Sequence, residues 1–396
     1  MKQLAILGST GSIGRQCLSV VDALAGRFGV VALAAGSNLD ELAAQITRYQ
    51  PELVSVSDSS KADQLATRLR EKGIARLPAI HHGREGMLAV GTHSAADIVV
   101  SAAVGVVGLE ATYEAVKLGK TIALSNKEVL VAAGEIVMAA AHKAGKELLP
   151  VDSEHNAVHQ CLRGGKHSEV RKLVLTASGG PFRKTPVHKL ESVTVEQALA
   201  HPNWKMGNRI TVDSATMMNK GFEIIEARWL FDMKPNQVDV VIHPQSTIHS
   251  MVEFIDGSVL AQLGATDMRM PIQYALTYPE RVASNQVDLN WAKLKRLDFN
   301  KVSTRRYPCL RLAREAMKKG GAWPCALNAA DEVAVAAFLE RQIPFLGIPR
   351  VVERVLERTP RVRIEKMDDV LAADAEARRI ATEEVSSVAA KALVVS

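Results

Sequence analysis

The stretch that most constrains this chain is Gly8-Ser9-Thr10-Gly11-Ser12-Ile13-Gly14, placed directly after the apolar run at 2–7. A helical pattern follows through Cys17, Leu18, Val20, Val21 and Leu24, and a second apolar run at 30–35 ends at Gly36. That is one complete βαβ unit. Glycines at this spacing allow a tight turn and close approach of backbone N–H groups to a pyrophosphate, which the N-terminus of the next helix attracts. A purely structural glycine turn would use the same residues. The strand before it and the helix after it favour a dinucleotide.

Alternation continues through helix 39–48, strand 53–56, helix 61–72, strand 97–101, helix 108–118, strand 121–124, helix 127–143 and strand 147–151. It predicts an α/β fold that opens with a Rossmann-like, doubly wound parallel sheet over 1–150. From 151 to 284 turn signals become dense, and strand-like runs at 171–176, 238–242, 248–254 and 258–263 predict a central α+β catalytic domain. Residues 285–310 read as a linker. From 311 to 396 apolar residues recur at helical spacing, among them Ala326, Leu327, Ala330, Val333, Ala334, Ala337 and Phe338, and predict a C-terminal α-helical bundle. A length of 396 residues accommodates these three domains.

Composition narrows the partners. Net charge is +6 without a dominant basic block, and only 4% of residues are aromatic, so a stacking surface for nucleic acid is not expected. Diffuse positive charge suits a small anionic substrate. Cys17, Cys161, Cys309 and Cys325 are scattered, which argues for a reducing compartment and against a disulfide framework. The longest apolar tract, 129–141, is too short to span a bilayer. A cytoplasmic protein with no membrane partner is expected.

Pro150-Val151-Asp152-Ser153-Glu154-His155-Asn156 carries the chemistry of the middle region. On a strand, Asp152 and Glu154 would share one face and could converge on a hard cation, with Ser153 turned in by the following loop. A solvated acidic loop is the plainer alternative. Downstream, residues 212–223 pack Ser214, Asn219, Lys220 and Glu223 into twelve positions. Ser214, Asn219 and Lys220 suit a phosphate. Glu223 or Glu226, neighbours on one helical surface, could complete a three-carboxylate site for Mg²⁺ or Mn²⁺. His155 and His159 have zinc-hydrolase spacing, but Asn156 stands where the catalytic glutamate should be. His243 and His249 read equally well as structural hydrogen-bonders.

Three further stretches point to ligands. Ser125-Asn126-Lys127-Glu128 closes a parallel strand, where ligands of open sheets gather. Lys127 could bind an anionic or carbonyl oxygen and Glu128 a hydroxyl, although a plain helix start would look the same. Ser178-Gly179-Gly180 can nest a phosphate. The 201–207 run, His201 to Gly207 with Trp204 inside it, reads as a mobile lid within a loop near 198–208. The second strand ends Gly36-Ser37-Asn38, with no carboxylate before Asp40, which favours NADPH over NADH.

As an ordered set these motifs closely resemble the 1-deoxy-D-xylulose 5-phosphate reductoisomerase family. The resemblance rests on 8–14, Asn-Lys-Glu at 126–128, 150–156, Ser-Gly-Gly-Pro-Phe at 178–182, His-Pro-Asn-Trp at 201–204 and 212–221. His-Pro-Gln-Ser at 243–246 and Ala-Leu-Asn-Ala-Ala at 326–330 extend it over nearly the whole chain. It implies an NADPH- and metal-dependent oxidoreductase and isomerase of non-mevalonate isoprenoid biosynthesis, acting as a homodimer on a small phosphorylated sugar. Carried over residue by residue, Asp152, Glu154 and Glu223 would hold the metal. Substrate would meet Lys127, Ser153, Glu154 and Glu223, with its phosphate on Ser178, Ser214, Asn219 and Lys220 and its chain under His201. Lys127, His201 and the three metal-binding acids would be the catalytic groups. NADPH would lie on Thr10, Gly11, Ser12, Ile13, Gly36, Ser37, Asn38, Asn126, Glu128 and Gly207. Trp204 and Met206 would belong to the flexible loop. Some members carry Lys where this chain has Ser37, and Pro where it has Thr266. A metal-independent semialdehyde or homoserine-type dehydrogenase and a non-catalytic nucleotide sensor are the competing readings.

Overall fold

A computed structural model describes residues 1–74, 76–103, 105–202, 204, 206–283, 288–292 and 294–395. Parts of two expected segments lie outside the described residues: Asn203 and Lys205 of the loop, and 285–287 and Lys293 of the linker. Contacts divide the chain into two units. The first is Met1–Val129, Val137–Asn156 and Asp267–Val287; the second is Leu130–Ile136, Ala157–Thr266 and Asp288–Ser396.

The first unit carries seven parallel strands: β1 (Lys2–Leu7), β2 (Phe28–Ala34), β3 (Leu53–Val56), β4 (Ala79–His82), β5 (Ile98–Ser101), β6 (Thr121–Leu124) and β7 (Leu148–Pro150). Their order is β4-β3-β2-β1-β5-β6-β7. Between them run α1 (Ser12–Ala23), α2 (Leu39–Tyr49), α3 (Ser59–Glu71), α4 (Gly83–Gly91), α5 (Leu109–Lys117) and α6 (Glu128–Ala144). Leu4 to Leu7 of β1 are fully buried, as a strand covered on both faces must be. Strand order reverses between β1 and β5, and at such a switch point the strand ends leave a crevice for ligand. The expected doubly wound sheet is therefore present. Strand β4 was not expected. Its Ala-Ile-His-His sequence lies at the sheet edge, largely exposed, and lacks the apolar run that marks a buried strand.

The second unit holds a five-stranded mixed sheet of order β11-β10-β8-β9-β12, from β8 (Val170–Ala177), β9 (Val238–Ile242), β10 (Ile248–Phe254), β11 (Val259–Leu263) and β12 (Asn300–Lys301). Only β8 and β9 run parallel; the other pairs are antiparallel. Preceding β8 is α7 (Ser153–Leu162). Between β8 and β9 lie α8 (Val195–Leu199), α9 (Asn208–Thr216) and α10 (Met218–Leu230). Helix α11 (Arg269–Thr277) returns to the first unit, packing Ile272, Ala275 and Leu276 into that unit's core. The chain closes on α12 (Pro308–Lys319), α13 (Ala322–Leu339), α14 (Gly347–Arg358) and α15 (Met367–Val395), which share one apolar core with the mixed sheet. No helix among the described residues is long and apolar enough to cross a membrane.

Candidate functional site

In the first unit, the glycine turn does what its sequence requires. Gly8 has φ +86°, and a Cβ there would lie 2.6 Å from the Ala102 carbonyl oxygen beyond β5. A Cβ on Gly14 would lie 2.4 Å from the Gly8 carbonyl oxygen, so α1 can approach the turn only without a side chain. Helix α1 has Gly11 as its N-cap and so no side-chain cap. Helices α2 and α3, by contrast, are capped by Asn38, which accepts from the Glu41 amide, and by Asp58, which accepts from that of Lys61. Ser12 and Ile13 thus present backbone N–H groups that no side chain caps, with Gly11 and Ser12 exposed, while the Gly11 N–H turns back to the Gly8 carbonyl at 3.1 Å. That donor set fits a dinucleotide pyrophosphate.

Gly36, Ser37 and Asn38 are exposed beyond β2, the place from which an adenosine ribose is read. Asn126 is buried, and both ends of its amide meet backbone: it donates to the Gly105 carbonyl at 2.8 Å and accepts from the Glu128 amide at 3.1 Å. This pins the end of β6 to the start of α6. Glu128 is buried in the first turn of α6. Gly207, the remaining expected cofactor residue, is the N-cap of α9 in the second unit.

One local expectation is corrected. Asp152 and Glu154 are not neighbours on a strand: β7 ends at Pro150 and α7 starts at Ser153. Pro150 cannot donate to a ladder, and Asn156 donates to the Pro150 carbonyl at 2.8 Å, so the chain turns at once into helix. Asp152 takes the Lys127 ammonium at 2.6 Å, and Glu154 accepts from the Ser153 hydroxyl at 2.6 Å. Two carboxylates and an ammonium therefore stand at the carboxyl edge of the parallel sheet. His155 is fully buried, with Nδ1 3.8 Å from Asp152.

The second unit assembles the expected phosphate residues. Gly180, at φ +65°, lies so close to α9 that a Cβ would be 2.7 Å from the Ser214 carbonyl oxygen. The Ser178-Gly179-Gly180 turn is thereby packed on α9 at Ser214. Tyr307, buried, donates to the Gly179 carbonyl at 2.8 Å and fixes the turn from behind. His201 Nδ1 accepts from the Trp204 amide at 3.0 Å, so its Nε2 carries the proton and donates to Ser178 Oγ at 3.1 Å. Burial lowers the His201 pKa, which favours this neutral tautomer. Ser178 Oγ also accepts from the Gly180 amide at 3.2 Å, which leaves the hydroxyl proton as the group it offers an anion.

Met217, left-handed at φ +62°, turns the chain from α9 into α10. The turn sets Ser214 at the end of one helix and Asn219 and Lys220 at the start of the next. Asn219 donates to Glu223 Oε1 at 2.7 Å, and the Lys220 ammonium pairs with Glu223 Oε2. Glu223 is fully buried. A buried carboxylate faced by an ammonium marks a place already built for positive charge, and an all-oxygen donor set suits Mg²⁺ or Mn²⁺.

His243 is a structural hydrogen-bonder, one of the two readings its sequence allowed. Its Nε2 accepts from the Thr247 amide at 3.2 Å, so Nδ1 carries the proton and donates to the Asp298 carbonyl at 2.9 Å, while the ring stacks on Phe299. It ties the end of β9 to the segment that leads into β12. A histidine before proline at a strand end was the only available signal.

Comparison with known proteins agrees along the chain. A family model described as 1-deoxy-D-xylulose 5-phosphate reductoisomerase matches residues 4–134. A second, for that enzyme's C-terminal domain, matches 148–231, and a third, described as DXP reductoisomerase C-terminal domain, matches 263–380. Relatives named 1-deoxy-D-xylulose 5-phosphate reductoisomerase include that of Solibacter usitatus, 51% identical over 97% of each chain. That of Heliobacterium modesticaldum is 51% identical over 97% of this chain and 98% of its own. Among solved structures, a DOX-P reductoisomerase in complex with NADPH, fosmidomycin and magnesium aligns with TM-score 0.93 at 39% identity, covering 98% of each chain. The Zymomonas mobilis enzyme in complex with NADPH aligns with TM-score 0.91 at 41% identity, covering 98% of this chain and 99% of its own. Likeness of this depth over both units places the chain in the 1-deoxy-D-xylulose 5-phosphate reductoisomerase family.

Proposed function

We propose that this protein converts 1-deoxy-D-xylulose 5-phosphate to 2-C-methyl-D-erythritol 4-phosphate, with NADPH and a divalent ion, in non-mevalonate isoprenoid biosynthesis. The observation that carries the reading is the 39%-identical relative solved with NADPH, fosmidomycin and magnesium together. The uncapped glycine turn at 8–14 supports NADPH, and the all-carboxylate donor set supports magnesium or manganese.

In this reading Asp152, Glu154 and Glu223 share one ion. When bound, that ion supplies Lewis acidity at the substrate carbonyl and NADPH supplies hydride. Lys127, in contact with Asp152, orients the acid and offers a proton-bearing ammonium to a substrate oxygen. Ser153 helps to seat the substrate chain. Ser178, Ser214, Asn219 and Lys220 grip the phosphate, which fixes the pose with remote binding energy. His201, neutral, covers the chain, and the loop near 198–208 with Trp204 and Met206 excludes water. NADPH lies on Thr10, Gly11, Ser12, Ile13, Gly36, Ser37, Asn38, Asn126, Glu128 and Gly207. Residues 1–150 form the cofactor domain, 151–284 the catalytic domain and 311–396 the helical domain, joined through 285–310.

A homodimer fits the free edge of the mixed sheet, where Val259 and Leu260 of β11 and the adjacent Ile255 are exposed. Four unpaired, buried thiols suit the cytoplasm. The test is to incubate protein, NADPH, magnesium and 1-deoxy-D-xylulose 5-phosphate and to identify the product by NMR. A branched tetritol phosphate formed with stoichiometric NADPH oxidation is expected. NADPH oxidation that leaves the skeleton unbranched, or no oxidation, would overturn the reading.

A further inference from the structure

Behind the phosphate residues, within the second unit, lies an acid that the proposed chemistry does not use. Asp331, on α13, is fully buried, and neither of its carboxyl oxygens has a hydrogen-bond partner among the described residues. Its nearest cation, the Arg209 guanidinium of α9, is 3.9 Å away, too far for a hydrogen bond. Arg209 directs its short contacts elsewhere, to Glu332 at 3.0 Å and to Asn328 at 3.2 Å. Glu332 has a second guanidinium, that of Arg378 on α15, which also holds Asp374. From α12 the Cys309 thiol faces the same spot and carries no charge, because burial pushes its pKa up. Beside Asp331 stands the Asp213 carboxyl of α9, near enough for a hydrogen bond once one of the pair is protonated.

A buried carboxylate with no hydrogen-bond donor, whose one nearby cation stands 3.9 Å away and is shared with the neighbouring Asp213 carboxyl at 3.7 Å, is costly to ionise. Burial first, and the Asp213 charge second, hold the Asp331 carboxyl well above the usual carboxylate range. We propose that Asp331 is a neutral carboxylic acid that donates its proton to the Asp213 carboxylate, a positioning contact that holds α9, and with it Ser214, against α13. The proton satisfies both side chains at once. Asp213 immediately precedes Ser214, and Gly180 abuts the same turn of helix. A shift of α9 therefore moves the serine and the Ser178 turn together. The consequence for substrate rests on the assignment of Ser214 to the phosphate; the proton itself does not.

The sign of the pH dependence follows from linkage. The unfolded chain ionises Asp331 near pH 4 while the folded chain keeps the proton, so stability declines as pH rises from about 4 toward the folded value. Asp331→Asn keeps a neutral donor and has no proton to lose. The intact variant should melt higher than wild type, by roughly 2–4 °C near neutrality, with a margin that shrinks toward acid pH. A protonated-carboxyl infrared band should persist in wild type at neutral pH and vanish in Asp331→Asn. Absence of that band from wild type, or a melting difference that does not vary with pH, would overturn the proton assignment. Asp331→Ala should raise KM for the phosphorylated substrate about tenfold with a smaller change in kcat, the size of one lost hydrogen bond to a charged group, and Asp331→Asn should restore it. An unchanged KM in Asp331→Ala would overturn the positioning role. Lys220→Ala, run alongside, shows whether the phosphate assignment has failed with it.

Discussion

Lys220 serves two charges. Its ammonium pairs with buried Glu223, and in the proposed complex it also meets the substrate phosphate. Lys220→Ala should raise KM about 10- to 100-fold through the phosphate, as loss of a charge-assisted hydrogen bond does. It should also lower the melting temperature of the metal-free protein, because a buried acid loses its cation, and magnesium should restore part of that loss. Unchanged kinetics and melting would remove Lys220 from both tasks. His201 makes a prediction of opposite sign in pH. Its folded pKa lies below the ordinary imidazole value of about 6.5, so on acidification the unfolded chain takes up the proton first. This residue contributes no penalty above that value and a growing one as pH falls below it. A protonated Nδ1 can no longer accept from the Trp204 amide. The melting temperature of wild type should therefore fall more steeply with acid than that of His201→Gln, as scanning calorimetry at several pH values would show; parallel profiles would contradict it. Residue types at this scale were legible: serine, asparagine and lysine in one twelve-residue run pointed to a phosphate. Their mutual bonding was not, because whether Lys220 faces Glu223 depends on helical phase and burial.

Helix α1 and its turn form the element on which cofactor binding depends. Gly14→Ala would push a methyl to 2.4 Å from the Gly8 carbonyl oxygen and 2.5 Å from that of Ser9, so α1 must withdraw. NADPH affinity, followed by fluorescence titration, should weaken at least about tenfold while magnesium binding is kept. Wild-type affinity would mean that the turn does not cradle the pyrophosphate. Elements with strong periodicity were readable in advance. Strands β1, β2, β3 and β6 and helices α1, α2 and α5 fall where apolar spacing puts them, because each buries a full face. Two were not. Strand β4 is held by backbone pairing to β3 and by Ile80, which packs against the core, and its other, exposed side chains leave no apolar run. Asp152-Ser153-Glu154 reads as strand from the apolar residues before it, but Pro150 and the Asn156 hydrogen bond turn the chain into α7.

For the whole molecule, the separation of the proposed metal-binding acids along the sequence gives the central claim its weight. Sixty-eight positions lie between Glu154 and Glu223, too many for spacing to join them; the residue types at 212–223 and the ordered motifs suggested the link. The direct test is titration of the full-length protein with Mn²⁺, read by electron paramagnetic resonance, for wild type, Asp152→Asn, Glu154→Gln and Glu223→Gln. One ion should bind the wild type, and each single substitution should weaken it about 10- to 100-fold and abolish turnover while NADPH affinity is kept. Wild-type Mn²⁺ affinity in Glu223→Gln would contradict the shared site.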